Sequence, residues 1–508
     1  MKSPAQNKKN DLFTEALFYL LVFASITCFA AVQAFGDPPD EINRFKVVSY
    51  ICRHGRLPHG ADPEIILDGY GASYAFQPIL TYIMQGFLLR FINLFTEDSY
   101  VLLLAARLVN AVFGGLMAYF VRQTAKEIWK SRYLQWLFTI MVVFLPQNIF
   151  IHSYVNTDSM AMLSVSVICY ALLRAQRTDY EKKDCILLAT GIILCALSYY
   201  NAYGIILAAV LIFLSHYIHA GKIEWAPMLR KGLFISAIVL AGIGWWFIRN
   251  GILYDGDILA LNARSECAMQ TAIPELHPLT RVTFQNSGRS LSDMLFGAHY
   301  ILLVSNSFIA MFGPLLIPTH RLIYVFYRFF WLLASSAALL IPGSLWFSGT
   351  DSPWNSRKES LSKSEKSRKA FSCGCMLLFC LITIGLAVFY SYSWDFQPQG
   401  RYILPILIPF MYLVARGVQK ICGALQKVFL LAENSSLGKK SRFFTEKNGI
   451  ALGRLLCLGI IAFILASFSY SLFITLWGYY SQNPNLFLLY DQNILNVFQY
   501  TPDEFLLS

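Results

Sequence analysis

Charge is scarce in this sequence: Asp, Glu, Lys and Arg fill 14% of 508 positions, against about 25% in an ordinary soluble domain. With 56% hydrophobic residues, the chain has too little polar surface to close as a water-soluble globule. Also missing is a nucleotide-binding glycine loop in the segments read below as cytoplasmic, which argues against ATP or a nucleotide-sugar donor acting there. The eleven cysteines are scattered, mostly inside hydrophobic runs (Cys169, Cys195, Cys380, Cys457). The close pair Cys373 and Cys375 has no companion histidine cluster, so small apolar packing is their expected use rather than zinc. Cys52 and Cys267 are the one pair in the large outer loops open to a disulfide. No internal repeat is visible, and residues 481–508 contain no Lys or Arg. The net charge of +11 follows from membrane topology, so no nucleic-acid partner is expected.

What is present is a series of long apolar runs. Residues 14–35 are long enough to cross a bilayer and end without a small-x-small cleavage site, which predicts a retained helix rather than a signal peptide. Further crossings are expected at about 99–121, 134–151, 158–174, two within 185–219, 232–248, 322–347, 372–391, 402–418 and 449–479, the last with an interfacial turn. Residues 76–95 are amphipathic enough to lie in the interface. The segment around Phe308, Phe312, Gly313, Pro314 and Pro318 also reads as lying in or re-entering it. Of nineteen lysines, all but Lys46 fall in segments assigned to one side, which the positive-inside rule makes the cytoplasm. The expected architecture is therefore an all-α polytopic membrane protein with about eleven transmembrane helices. A transmembrane module spans 1–348, with outer loops 37–98 and 249–318. A basic cytoplasmic loop covers 349–371, more helices occupy 372–480, and an extracytoplasmic tail takes 481–508.

Polar residues gather at the outer side of this scheme. Asp37, Asp40, Glu41 and Arg44 sit at the exit of the first helix, where Pro38 and Pro39 favour a helix starting near Asp40. Asp40 and Arg44 are four apart, which puts an acid and a guanidinium on one helical face. A surface ion pair on a capped helix is the bland alternative. The turn 152–158 carries Asn156 and Asp158, either of which suits a helix cap or a site. The turn 199–203 carries Tyr200. Residues 395–402 carry Gln399, Arg401 and Tyr402 just before a helix, and an arginine fork there fits phosphate oxygens; snorkelling is its structural alternative. Arg107 lies inside a hydrophobic run, a costly position for a charge unless paired or functional, within expected reach of Asp37, Asp158 or a lipid phosphate; a purely structural ion pair is its alternative. Such a face suits transfer of a group from a lipid phosphate, with a carboxylate as general base and arginines steadying the leaving phosphate.

The order of elements resembles the GT-C superfamily of polyprenyl-phosphate-dependent glycosyltransferases: one helix, a long outer loop with an acidic start and two juxtamembrane helices, then many short connections. More narrowly, Pro39-Asp40-Glu41 and Gln399-Gly400-Arg401-Tyr402 through Pro405 are similar to the P-D-E-x-x-H and Q-G-R-Y-x-x-P patterns of bacterial DUF2142-type membrane proteins. The resemblance implies a GT-C-like fold and an inverting glycosyltransferase at the cell membrane. Asp40, with Glu41 beside it, would be the base, and Arg401 the phosphate contact. The family's histidine position holds Arg44 here, which weakens any role needing a neutral imidazole or a metal. Many GT-C enzymes place a lysine where this chain has Tyr199, Tyr200 and Asn201. Phosphate binding would then lean on Arg401, Arg107 or the loop residues Arg264 and Arg281. The implied partners are a polyprenyl-(di)phosphate-linked sugar donor, membrane lipids and a cell-envelope glycan, teichoic acid, lipid or protein acceptor. A divalent cation shared by Asp40, Glu41 and Asp158 stays open. A lipid-linked sugar transporter or flippase, and a non-catalytic polyprenyl-lipid-binding assembly protein, are the rival readings.

Overall fold

The computed structural model describes residues 4–219, 222–341, 354, 363–435 and 443–486. The chain is helical almost throughout. Two two-residue ladders are the strands among the described residues: Ile218 pairs with Ile223 and His219 with Lys222, and Met311 pairs with Pro318 and Phe312 with Ile317. In chain order the helices are α1 (Pro4–Val32), α2 (Glu41–His54), α3 (Leu80–Ile92), α4 (Ser99–Ile128), α5 (Arg132–Val143), α6 (Pro146–Ile151), α7 (Asp158–Thr178), α8 (Lys182–Ala196) and α9 (Gly204–His216). They continue as α10 (Trp225–Leu253), α11 (Leu261–Thr271), α12 (Tyr300–Ala310), α13 (Arg321–Leu340), α14 (Lys363–Ser393), α15 (Leu407–Glu433) and α16 (Glu446–Tyr470).

Among the described residues, eight helices are long and apolar enough to cross a membrane. Three crossings expected from sequence fold as shorter pieces: α5 broken from α6 by Pro146, and α8 and α9 either side of the 199–203 turn. The basic loop 349–371 lies largely outside the described residues, and α14 already begins at Lys363. The tail 481–508 lies outside them from residue 487. The interfacial turn expected within 449–479 is instead a π-helical stretch, Ser471–Leu476, that carries α16 on to Gln482.

Helix α7 is the centre of the bundle. Its apolar window is 89% buried, whereas that of α10 is 11% buried, which places α10 at the periphery. Serine and alanine along α7 permit close helix approach, and Ser164 and Ser166 spend their hydroxyls on the Ala161 and Leu163 carbonyls of their own helix. The N-terminus of α7 therefore opens into the interior of the bundle, where Asp158 is its first residue.

The amphipathic segment forms α3. Thr81, Tyr82, Gln85 and Leu89 are buried on one face, while Met84, Phe87, Leu88 and Phe91 stand exposed on the other. By contrast, the segment around Phe308 and Phe312 is core: both side chains are buried, α12 packs against α6, and Met311 N donates to Gln147 Oε1 at 3.1 Å. The two large loops dock on each other, with Thr271 Oγ1 donating to Gly71 O at 2.6 Å and Ile273 N to Gly69 O at 3.1 Å. Cys52 and Cys267 are both free and buried in separate apolar clusters, so no disulfide joins these loops.

Candidate functional site

The turn after α1 is built around Glu41. Its side chain is fully buried and accepts from Arg107 Nε at 2.8 Å, Arg107 Nη2 at 2.6 Å, Val155 N at 3.1 Å and Gly36 N at 3.3 Å. Arg107 completes its fork on the carbonyls of Ala30, Gln33 and Ala34 at the end of α1. This pair clamps α1, α2, α4 and the 152–158 turn together. Glu41, expected as a base, has no exposed oxygen to act as one, and Arg107 takes its structural alternative, a buried ion pair, with Glu41 rather than Asp37, Asp158 or a lipid phosphate. Asp37 instead accepts from Tyr480 Oη at 2.5 Å.

Asp40 is different. It occupies the N-cap position of α2 with left-handed backbone (φ 63°, ψ 10°) yet makes no capping hydrogen bond. A non-glycine residue held there stores strain of about 1–3 kcal/mol, and the carboxylate is left for partners other than the first amides of α2. Arg401 Nη2 donates to Asp40 Oδ2 at 2.5 Å across 361 residues of sequence. Arg44 Nη2 lies 3.8 Å from the same oxygen, while its Nη1 donates to Asp158 Oδ2 at 2.9 Å. The four charges thus alternate as Asp158, Arg44, Asp40 and Arg401. Their side-chain exposures are 6%, 2%, 34% and 4%, so Asp40 is the member that keeps contact with solvent. Burial works against its ionisation, but Arg401 and then Arg44 outweigh it and hold the carboxyl below the usual carboxylate range.

Several elements are needed to place these groups. Gly400 permits the 395–402 segment to cross α12: its N donates to Ser307 Oγ, and a Cβ there would sit 2.2 Å from Phe308 N. Arg401, second residue of the 3-10 helix Gly400–Ile406, reaches Asp40, with Nη1 toward Pro39 O at 3.4 Å and Nη2 toward the Tyr402 hydroxyl at 3.3 Å. Its Nε is buried without a hydrogen-bond partner.

Tyrosines surround the charges. Tyr74 stacks on Arg44, with the guanidinium 5.1 Å from the ring centroid, and hydrogen-bonds Asp40. Burial and then Asp40 push its hydroxyl well up, so it stays a neutral donor. Tyr82, Tyr154, Tyr199 and Tyr402 lie within electrostatic reach of the same charges. Tyr199, not the expected Tyr200, is the inward residue of that turn; Tyr200 Oη faces Leu259 O at 3.4 Å. Tyr74 and Tyr82 carried no signal beyond apolar periodicity.

The remaining candidates separate into structural and peripheral. Asn156 Oδ1 accepts from Ser159 N at 2.8 Å and its amide binds the Ile151 and Tyr154 carbonyls, so it caps α7 and stiffens the turn. Burial pushes nearby His152 down to about 3, a neutral ring against Ser159 Oγ. Gln399 donates to Gln397 at 2.7 Å, beside the charges rather than on them. Arg264 and Arg281 belong to an outer rim with Asp395 around Tyr390, whose ring centroid is 6.4 Å from that of Tyr402. Asp40, Glu41 and Asp158 do not share a cation position: a guanidinium intervenes at each, and no cluster of three metal-ligating side chains exists among the described residues.

The family model for predicted membrane proteins named DUF2142 matches residues 52–410. The chain belongs to that family. In this DUF2142 protein, Arg107, Asp158 and Arg401 fall inside the matched stretch, and Asp40 and Arg44 lie just ahead of it. No curated protein matches the chain. Among solved structures it is similar to ArnT from Cupriavidus metallidurans bound to undecaprenyl phosphate, at 12% identity and a TM-score of 0.48, covering 95% of this chain and 78% of that one. It is also similar to the Archaeoglobus fulgidus oligosaccharyltransferase tethered with an acceptor peptide, at 12% identity and a TM-score of 0.47, covering 90% of this chain and 55% of that one. The chain thus spans little more than half the length of the archaeal protein.

Proposed function

We propose that this protein transfers a sugar from a polyprenyl-phosphate-linked donor to a cell-envelope acceptor on the extracytoplasmic face of the membrane. The observation that carries the reading is the contact between Asp40, ionised and one-third exposed, and the buried Arg401 fork, brought together from opposite ends of the chain. A GT-C-like order of elements and the lysine-rich side taken as cytoplasmic support reading that contact as lying at the outer leaflet.

Paired with Arg401, Asp40 is a weak base, because the guanidinium stabilises its charged form. A donor phosphate arriving at Arg401 competes for the same N–H groups. As the fork turns to phosphate oxygens, Asp40 loses stabilisation and gains basicity. It then takes the proton of the acceptor hydroxyl. The acceptor oxygen forms a bond to the anomeric carbon while the bond from that carbon to the phosphate oxygen breaks. The electron pair leaves with the polyprenyl phosphate, whose growing charge Arg401 and Arg44 stabilise. One displacement with one carboxylate inverts the anomeric centre. The tyrosine ring supplies neutral donors and flat surfaces for the sugar.

The test is Asp40→Asn in reconstituted protein supplied with a panel of polyprenyl-linked sugars. The expected result is loss of transfer with donor binding and protein level retained. Unchanged transfer rejects Asp40 as the base. Donor binding with no transfer by either protein favours a lipid-binding assembly role.

A further inference from the structure

The arginines of the central site all face carboxylates. Two others do not. Arg56, just beyond α2, and Arg249, in the last turns of α10, line an open cleft of about 460 Å³ together with Tyr50, His59, Asp62 and Ile252. Neither arginine forms an ion pair among the described residues. Arg249 is held by a bond from Nη2 to Pro58 O at 2.6 Å, by the Tyr254 hydroxyl and by the Trp246 ring at 5.3 Å, while its Nη1 is buried without a hydrogen-bond partner. The one acid in the cleft is already engaged: Asp62 Oδ2 accepts from His59 N at 2.7 Å. His59 Nδ1 accepts from Ala61 N at 3.2 Å, which leaves its other ring nitrogen as a donor. The cleft is therefore lined with donors and carries net positive charge.

Its surroundings specify the kind of anion. Arg249 sits near the end of α10, the peripheral candidate span, whose Ile248 and Ile252 flank it at 64% and 76% exposure. Trp245, 40% exposed, stands one turn before it, as expected where a span meets the water interface, while Trp246 packs inward beneath the guanidinium. A soluble phosphate has no use for exposed aliphatic side chains beside its site, whereas an acyl chain covers them. We propose that this cleft seats the phosphodiester of an anionic phospholipid, with Arg56 and Arg249 on its oxygens and the acyl chain lying along Ile248 and Ile252. Arg56 is exposed, so it can close over a headgroup without repacking the core.

The experiment is native mass spectrometry of the protein purified in detergent doped with equal phosphatidylglycerol and phosphatidylcholine. Wild type is expected to retain one phosphatidylglycerol selectively. Arg56→Gln and Arg249→Gln are each expected to weaken that retention roughly tenfold, the value of one charge-assisted hydrogen-bonded contact. Excess glycerol 3-phosphate is expected not to displace the lipid, and Asp40→Asn is expected to retain it, which keeps this test independent of the transfer reaction. Arg56→Gln, at an exposed position, covers the case in which Arg249→Gln fails to fold. Equal retention by wild type and Arg56→Gln, no preference over phosphatidylcholine, or displacement by glycerol 3-phosphate each overturns the proposal.

Discussion

Replacing Glu41 by Gln separates a buried clamp from a catalytic acid. The carboxylate accepts from two Arg107 nitrogens and the two backbone amides of Val155 and Gly36. Glutamine keeps the volume but turns one acceptor oxygen into a donor. It also leaves Arg107, 1% exposed, with no counter-charge. Breaking a buried pair from one side costs about 3–5 kcal/mol, because the surviving charge stays desolvated. The Arg107 bonds to the Ala30, Gln33 and Ala34 carbonyls keep the loss near the lower end. Thermal unfolding in detergent, read by tryptophan fluorescence, is the assay, with the double replacement Glu41→Leu and Arg107→Leu alongside it. Removing both charges takes away the unpaired-ion penalty, so the double variant should melt above Glu41→Gln. A Glu41→Gln protein that melts like wild type but has lost transfer would refute the reasoning and return Glu41 to the catalytic group.

Three other outcomes follow from the site. Arg401→Lys keeps the charge but not the planar fork, so transfer should fall on the order of 10²-fold with the melting temperature little changed; equal rates in a steady-state assay refute a phosphate-binding fork. Gly400→Ala puts a methyl 2.2 Å from Phe308 N and should cost about 1–3 kcal/mol of stability, measurable as a lower melting temperature. Because Arg401 and Arg44 overcome burial and depress the Asp40 pKa, the pairing contributes stability above the ordinary carboxylate range. That contribution is lost as pH falls through the depressed value. Wild type should therefore approach the melting temperature of Asp40→Asn only in acid, and a difference that vanishes near neutrality contradicts the assignment.

The membrane class was legible from the sequence because burying twenty apolar residues in a bilayer is a local, additive property of a run. The amphipathic α3 was legible for the same reason: its two faces alternate within thirteen residues. The prominence of Asp40 and Arg401 was also readable, since charges flanked by proline and glycine stand out against an apolar background. The partners of these charges were not. Asp40 and Glu41 are neighbours of the same chemical type, and nothing local says which will be locked away. That is decided by α4 delivering Arg107 to one, and by the 395–402 segment delivering Arg401 to the other. Ion pairing depends on distances across hundreds of residues and on which carboxylate keeps contact with solvent, and those quantities exist only once the bundle has closed. The inward turn of Tyr199 and Tyr74 has the same origin. A tyrosine reads as one more hydrophobic position until packing fixes whether its hydroxyl meets lipid, water or a buried guanidinium.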